Sequence, residues 1–323
     1  MQSVFQKNRR AALLAVIILC AASSRNFAQD TPPRLRAFAP GVMTVIEPAL
    51  EPSETLHVHY LVEIRTDKSL DWKPEFLPAS RTLFNMAKDV QFKREVWGLE
   101  FAFKPLRMIE VDVPQANGRM VRKNIWYLVY RVRNTGAALK PVEEGPGVFT
   151  AQPATPAPRR FVPEFVIEAH DLDAEGKKNY RAYLDRVVPA AVEPIRRREA
   201  GGRLLHNSVT ISDEPIPVAA GSEDDGTWGV AMWEDVDPNI DFFSIYVGGL
   251  TNAYDWNDPP GAYTAGDRPG KGRRFTQKML QLNFWRPGDE YQEHEREVRF
   301  GVAPDRADLF GVPEGVAYRW IHQ

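Results

Sequence analysis

Aromatic side chains between Trp228 and Tyr263 are the residues best suited to contact a ligand. The segment carries Trp228, Trp233, Tyr246, Tyr254, Trp256 and Tyr263 among acidic and amide residues, a composition that suits stacking against sugar rings. The first three fall in predicted strands, where aromatic residues usually fill a core. The other three follow in a predicted loop. We therefore predict a ligand-binding site formed by Asn252, Tyr254, Asp255, Trp256 and Tyr263.

An acidic run, Asp235-x-Asp237-x-Asn239, begins like an EF-hand calcium loop. It departs from that template at two positions. Ile240 stands where the loop requires glycine, and Tyr246 stands where it requires a bidentate glutamate. Aspartate, proline and asparagine all favour turns. The run is therefore interpreted as an acidic turn.

A second acidic run, Asp171-x-Asp173-x-Glu175, has Ala182 where a calcium loop needs its last carboxylate. Aspartate is a favoured N-cap residue because its carboxylate accepts hydrogen bonds from free backbone N–H groups. The run is interpreted as the cap of a following helix.

His57 and His59 lie on one face of a predicted strand, a geometry that can chelate a metal. The other histidines are scattered singly, and the chain has one cysteine. No third ligand is identifiable. We predict no metal site and no cofactor.

No catalytic motif is present in the sequence. There is no G-x-S-x-G elbow, no serine beside a candidate base along the chain and no glycine-rich phosphate loop. Acidic pairs do occur, as in Glu223-Asp224-Asp225 and Glu234-Asp235. A glycosidase needs two carboxyl groups about 5–10 Å apart across a sugar cleft, and sequence cannot test that separation. No catalytic residue is predicted, and a hydrolase with paired carboxylates is kept as an alternative.

The N-terminus is predicted to be a secretory signal peptide. Lys7, Arg9 and Arg10 precede an apolar run at residues 11–22, shorter than the about 20 apolar residues that span a bilayer. Cleavage is expected after Ala28, with residues 23 and 24 as alternative positions and an uncleaved anchor as the alternative interpretation. We expect an exported protein, periplasmic or extracellular, with no transmembrane segment after signal removal.

The charge balance excludes one class of partner. Residues 1–28 hold four basic residues and no acidic one, so their removal takes the net charge from −2 to −6. They also hold Cys20, so the mature chain has no disulfide. An acidic chain has no electrostatic reason to bind nucleic acid. The expected partner is an unknown protein or glycan of the cell envelope.

The elements that must position the predicted site are mainly β. Pro (26) and Gly (22) are frequent, which favours short strands and many turns. Residues 29–54 are interpreted as an extended linker and residues 55–91 as a strand-plus-helix extension. Residues 92–323 are predicted to form an immunoglobulin-like antiparallel β-sandwich with a short helical insertion. A division into two β domains at 141–160 is the alternative.

Five stretches define the predicted sandwich. Asn117-Gly118 predicts a hairpin turn before a strand at 124–134, which is apolar on both faces and therefore belongs inside a sheet. Residues 137–160 have the composition of a loop, and residues 203–212 read as a strand. The helical insertion is expected at 177–200. Residues 227–256 predict a core hairpin followed by the site loop.

Five runs of the sequence carry a family resemblance. They are WGLEFAFKPLRMIEVDVP, NIWYLVYRVRNTG, WGVAMWEDVDPNIDFFSIYVGGLTNAYDW, LQLNFWRPGDEY and GVPEGVAYRWIHQ. These runs resemble a family of uncharacterised secreted proteins from planctomycete bacteria, over roughly residues 70–323. The resemblance implies a bacterial exported protein and implies no activity, cofactor or catalytic residue.

Three function classes follow from the sequence. The favoured one is a non-enzymatic binding or structural module of the cell envelope. The second is a carbohydrate-binding module that uses the aromatic loop at 252–263. The third is the hydrolase with paired carboxylates.

Overall fold

The computed structural model describes residues 43–58, 91–146, 148–221, 225–257, 259–262, 271–288 and 296–323. For residues 57, 58, 91 and 92 it describes the backbone alone. All described residues lie in one compact unit, Phe38–Gln323. The predicted signal peptide, the helix expected within 55–91, His59 and Tyr263 lie outside the described residues. Within the described ranges, no helix is long and apolar enough to cross a membrane.

Most of the regular structure is β-strand. In chain order the strands are β1 (Thr44–Ile46), β2 (Leu56–Val58), β3 (Gln91–Lys93), β4 (Val96–Trp97), β5 (Glu100–Phe103), β6 (Arg107–Pro114), β7 (Met120–Arg133), β8 (Ala138–Gly145), β9 (Val148–Pro153), β10 (Arg159–Arg160), β11 (Glu164–Ala169), β12 (Ala182–Leu184), β13 (Pro215–Ile216), β14 (Thr227–Trp233), β15 (Phe242–Gly248), β16 (Tyr254–Asn257), β17 (Arg274–Trp285), β18 (Arg299–Phe300) and β19 (Tyr318–His322).

Helices are few and short in the described chain. They are α1 (Pro189–Glu199), α2 (Ser208–Asp213) and 3₁₀ helices at Pro52–Thr55 and Ala307–Phe310. α1 has Pro189 at its first position, where a missing N–H costs no hydrogen bond. α2 begins after Asn207, whose Oδ1 accepts hydrogen bonds from the N–H groups of Val209 and Thr210.

Two antiparallel sheets form the body of the molecule. The front sheet has the strand order β1-β5-β7-β14, and β6 also pairs with β7. The back sheet has the order β12-β11-β15-β17, and β16, β18 and β19 also pair with β17. The pairings β2–β3, β10–β13 and β4–β8–β9 form small separate sheets. The predicted mainly β, antiparallel class is confirmed, whereas the immunoglobulin-like strand order stays a prediction.

The main core lies between the front and back sheets. Phe101 and Tyr130 of the front sheet lie 6.2 and 4.9 Å, centroid to centroid, from Phe165 of the back sheet. Trp126 meets Phe243 edge to face at 5.4 Å. Such ring pairs contribute about 0.5–1.5 kcal/mol each beyond the area that they bury. Side chains from two facing sheets thus interdigitate, as in a β-sandwich.

Strand β7 is the centre of the front sheet, as its sequence predicted. It pairs with β5 and β6 along one edge and with β14 along the other. The Asn117-Gly118 turn joins β6 to β7, and Gly118 has a φ of 76°, which glycine adopts without steric cost. This hairpin prediction is confirmed.

The outer face of the front sheet is covered by α1. Because side chains alternate along a strand, Tyr127 and Val129 of β7 point away from the main core. They form a second apolar cluster with Ala191 and Ile195 of α1. This cluster fixes the helix to the sheet.

A buried carboxylate fixes the end of the same helix. Glu199 has a side chain 1% exposed, and its Oε1 accepts a hydrogen bond from the Tyr127 hydroxyl at 3.0 Å. Lys104 Nζ lies 3.8 Å from Oε2, while Arg107 and Arg198 each place a nitrogen 3.4 Å from Oε1. The carboxylate is therefore surrounded by positive charge.

The outer face of the back sheet is covered over only part of its area. Residues 301–317, named here the covering segment, bury Leu309, Phe310 and Val312 in a third apolar cluster. In the part of the chain that the structure describes, the half of this face formed by β11 and the start of β17 is left open beside the covering segment. The two sheets thus differ in how their outer faces are closed.

Several predictions of local structure are wrong. Residues 227–256 do not form a hairpin, because β14 pairs with β7 in the front sheet and β15 pairs with β11 and β17 in the back sheet. Residues 137–160, predicted as a loop, contain the hairpin β8–β9. Within the stretch predicted as a strand at 203–212, the backbone is helical from Ser208.

Two further ranges differ from their interpretation. Within the range interpreted as a linker, β1 pairs with β5, with Thr44 opposite Phe103. Within the predicted helical insertion at 177–200, only α1 is helical, and β12 pairs with β11. Short strands in Pro-rich chain have too few residues to show a period in the sequence.

Candidate functional site

A trough on the open half of the back sheet is the strongest candidate site. Its volume is about 310 Å³, at the lower end of the roughly 300–1,000 Å³ typical of small-molecule sites. The residues that line it are Glu164, Val166, Glu168, Tyr246, Phe275, Gln277, Met279 and Gln323. They come from β11, β15, β17 and the residue after β19, so a rigid sheet positions them.

Strand alternation explains why polar side chains face the trough. Phe165 and Ile167 of β11 point into the main core, so Glu164, Val166 and Glu168 point to the opposite face. Tyr246 of β15 lies directly opposite Val166 in the register. The floor of the trough is therefore an ordered surface of alternate residues.

Phe275 supplies an exposed aromatic ring at one end of the trough. Its side chain is 63% exposed although it begins a long strand. Its ring contacts Tyr254 of β16 edge to face, with centroids 5.9 Å apart. An exposed apolar ring beside polar groups marks a place where a ligand can be bound.

The ionisable side chains that line the trough are those of Glu164, Glu168 and Tyr246 among the described residues. Burial raises the pKa of Glu168, and Lys178 opposes this shift to a smaller extent. Burial, followed by the charge of Glu168, raises the pKa of Tyr246 to about 12, so its hydroxyl stays neutral and can donate a hydrogen bond. Among the described residues, no lysine or arginine lines the trough.

The predicted site residues lie next to the trough but do not form a solvent-facing loop. Tyr254, Asp255 and Trp256 belong to strand β16, with Trp256 directly opposite Phe275. Gly249 makes the bend before this strand, because it has a φ of 83° and any Cβ there would lie 2.0 Å from the Val162 oxygen. The loop prediction is therefore wrong for residues 254–257.

Most of these side chains are already engaged. Asn252 Oδ1 accepts a hydrogen bond from Trp97 N at 2.9 Å, and its Nδ2 donates to the Glu95 oxygen at 2.9 Å. The guanidinium of Arg94 lies 3.6 Å from the Tyr254 ring centroid, and that of Arg273 lies 3.8 Å from the Trp256 ring centroid.

These arginines cover one face of each ring of β16. Asp255 is exposed, and its Oδ1 accepts a hydrogen bond from the N–H of Trp256. Tyr263 lies outside the described residues. The exposed ring in this region is that of Phe275, which the sequence did not single out because it opens an apolar strand.

A serine–histidine pair exists that the linear sequence could not reveal. His170 Nε2 lies 2.8 Å from Ser244 Oγ, although the residues are 74 positions apart. Glu168 Oε1 lies 3.9 Å from His170 Nδ1. Nucleophile, base and carboxylate thus follow the order of a catalytic triad.

Burial prevents these three residues from acting as a catalytic triad. Ser244 is 0% exposed, and its hydroxyl also donates to Asn283 Oδ1 at 2.8 Å and accepts from Gln281 Nε2 at 3.2 Å. Burial lowers the pKa of His170 to about 4. A nucleophile needs access to substrate and an oxyanion hole. The group is a polar network beneath the covering segment.

The acidic runs serve local structure. Asp237 Oδ1 accepts from Asn239 N at 2.9 Å, which supports the interpretation as a turn. Asp173 Oδ1 accepts from Glu175 N and Lys177 N, and the chain returns through a bridge between Leu172 and Lys178. Asp173 therefore caps a turn and not the predicted helix. Of His57, only the backbone is described.

Comparisons with protein-family models, with curated proteins and with solved structures found no match for this chain.

Proposed function

We propose that this chain is an exported, non-enzymatic β-sandwich module that binds carbohydrate in the trough. One observation carries the proposal: the exposed ring of Phe275 lies in the same hollow as Glu164, Glu168 and Gln277. A sugar ring has an apolar C–H face and a rim of hydroxyl groups. It therefore needs an aromatic surface beside hydrogen-bonding side chains, which is the combination found here.

The polar residues of the trough suit hydroxyl recognition. Carboxylates accept hydrogen bonds through two oxygens, and these charge-assisted bonds are stronger than neutral ones. The Gln277 amide both donates and accepts, as does the neutral Tyr246 hydroxyl. Because a sheet holds these groups, little conformational entropy is lost on binding.

The position of the two carboxylates favours binding over hydrolysis. A glycosidase places its two carboxyl groups on opposite sides of the scissile bond. Glu164 and Glu168 instead lie on the same face of one strand, β11, with Cα atoms about 13 Å apart at about 3.3 Å per residue.

Export is part of the proposal and rests on the sequence. The basic residues before the apolar run at 11–22 and the resemblance to secreted planctomycete proteins both support it. A module outside the cytoplasm has access to envelope and environmental glycans.

A glycan array with the purified protein tests the proposal. Binding to a group of related glycans is expected, and Phe275→Ala should abolish it because the stacking surface is lost. Tyr180→Ala is the matched control, since Tyr180 is an aromatic residue 72% exposed and does not line the trough. Absence of glycan binding, or equal binding by Phe275→Ala, contradicts the proposal.

A second candidate function is the binding of a protein partner. A hollow of about 480 Å³ is lined in part by Leu184, Val187 and Val209, which are 65%, 41% and 64% exposed. Exposed apolar side chains around a hollow often mark protein contacts. Selection of binding peptides from a displayed library, followed by loss of binding in Leu184→Glu, would support this function. Failure of the library to yield a peptide sensitive to Leu184→Glu would count against it.

A further inference from the structure

The charge of the trough indicates which sugars it takes. Glu164 and Glu168 both line it, and no lysine or arginine among the described residues does so. Tyr246, Gln277 and Gln323 are neutral side chains there. A ligand that fills the trough therefore meets two carboxylates and, within the described ranges, no basic side chain on its walls.

The nearest basic groups are engaged elsewhere. Lys178 Nζ donates to the Leu309 oxygen at 3.0 Å, and Arg319 donates to Gln281 Oε1 and to the Gly311 oxygen, both at 2.8 Å. They hold the covering segment in place. His170 lies 3.9 Å from Glu168 but is neutral near pH 7, because burial lowers its pKa.

Glu168 is consequently a partly desolvated carboxylate on which Lys178 acts through its charge, and among the described residues no lysine or arginine forms an ion pair with it. Its side chain is 23% exposed, and burial is the largest influence on its pKa. A cation placed next to such a group is stabilised more than one next to a fully solvated group. An anion in the same place is repelled.

Resting on the proposed carbohydrate function, we propose that the trough selects amine-bearing sugar residues over neutral and acidic ones. In a glucosamine oligosaccharide, the ring of one residue would stack on Phe275, while the ammonium groups of other residues would lie against Glu164 and Glu168 farther along the trough. N-acetylation removes the positive charge and therefore the preference. Uronic acids and sulfated sugars are excluded by repulsion.

Calorimetric titration tests this selectivity. The titrants are a glucosamine tetrasaccharide, its fully N-acetylated form and the corresponding glucose tetrasaccharide, at a pH just below neutral where the amine is protonated. The glucosamine form should bind about tenfold more tightly than the other two, which equals the contribution of one hydrogen bond to a charged group. Added salt should reduce this difference.

Isosteric variants separate charge from shape. Glu168→Gln and Glu164→Gln should each reduce the preference for the amine while leaving the affinity for the glucose form nearly unchanged. Glu214→Gln, at an exposed glutamate that does not line the trough, should leave the preference intact. Phe275→Ala should weaken the binding of all three sugars. Because Glu164 is exposed, its variant is expected to fold even if Glu168→Gln does not.

Each outcome has a separate meaning. Equal binding of the three sugars that is lost in Phe275→Ala overturns the selectivity but keeps the carbohydrate function. Binding of a tetralysine peptide as tight as that of the glucosamine sugar, unaffected by Phe275→Ala, shows a general cation site and overturns both. No binding of any titrant also overturns both.

Discussion

The outer faces of the two sheets each hold a glutamate, one buried and one half-buried, and the two glutamates have opposite surroundings. Glu199, under α1 on the front sheet, is 1% exposed and lies within 3.8 Å of nitrogens from Lys104, Arg107 and Arg198. Glu168, on the back sheet, lies 3.9 Å from the neutral His170, and Lys178 acts on it through its charge without an ion pair among the described residues. Removing a carboxylate from water without a close countercharge costs stability. The comparison marks the front face as structural and the back face as the place for a ligand.

The two faces also differ in how they are closed. The front face is sealed by an apolar helix surface that includes Ala191 and Ile195. The back face is closed over the Ser244 network and left open at Phe275. An exposed aromatic ring contributes little to folding, so its presence in the same trough as a partly desolvated carboxylate favours a functional explanation.

The largest expected effect is on the front face. Glu199→Ala leaves Lys104, whose side chain is 2% exposed, without its carboxylate. Removing one partner of a buried ion pair costs about 3–5 kcal/mol of unfolding free energy. Urea denaturation measures it. Glu193→Gln on the exposed side of α1 is the control and should leave the unfolding transition unchanged. An equally unchanged transition in Glu199→Ala would contradict the contrast between the two faces.

The second-largest expected effect is a pH dependence of the unfolding free energy, caused by His170 on the covered part of the back face. The folded pKa of His170, about 4, lies below its ordinary value of 6.5 because the ring is buried. Protons therefore bind preferentially to the unfolded chain. The stability that the neutral ring contributes is complete above pH ~6.5 and is lost as the pH falls towards ~4, by up to about 3 kcal/mol.

The variant His170→Gln isolates this contribution. Its unfolding free energy should fall less steeply than that of the wild type between those two pH values. Equal slopes for the two proteins would show that the ring is accessible to protons in the folded state, and that the Ser244 network is open to solvent.

The smallest expected effect is the change in stability caused by a substitution in the trough. Whether stability rises or falls is what distinguishes the two glutamates. Glu168→Gln removes a charge whose folded pKa is raised by burial. At neutral pH the ionised form is disfavoured by folding, so the variant should be equal to or slightly more stable than the wild type. The gain should stay below about 1 kcal/mol, because solvent screens a partly exposed charge. A loss comparable to that of Glu199→Ala would mean that Glu168 has a structural role.

The fold was predictable from the sequence where strands are long and strongly apolar. Strand β6 follows from alternating apolar positions, strand β7 from a run that is apolar on both faces, and their pairing from the Asn117-Gly118 turn. The sequence could not place β14 and β15 in different sheets, because two adjacent apolar strands look alike whether they pair with each other or cross the core. At 203–212 the β-branched residues favoured a strand, but the Asn207 cap and tertiary packing favour a helix from Ser208.

The sequence predicted the region of the site but not the residues that line it. The aromatic residues of β16 were singled out, and they lie beside the trough. The sequence does not single out Phe275, because an aromatic residue at the start of an apolar strand is expected to be buried in the core. Glu164, Glu168 and Tyr246 converge through the pairing of β11 with β15, which joins residues distant in the chain. The His170–Ser244 pair arises from the same long-range register.

Methionine-methyl NMR tests most directly whether the open back face is the binding site. Met279 lines the trough, whereas Met232 belongs to the apolar cluster under α1. With methyl-labelled methionine, and with Met279→Leu to assign its resonance, a glucosamine tetrasaccharide is added to the purified protein. We predict a saturable shift of the Met279 methyl signal and an unchanged Met232 signal. A Met279 signal that stays constant while the sugar binds would contradict the assignment of the trough as the site.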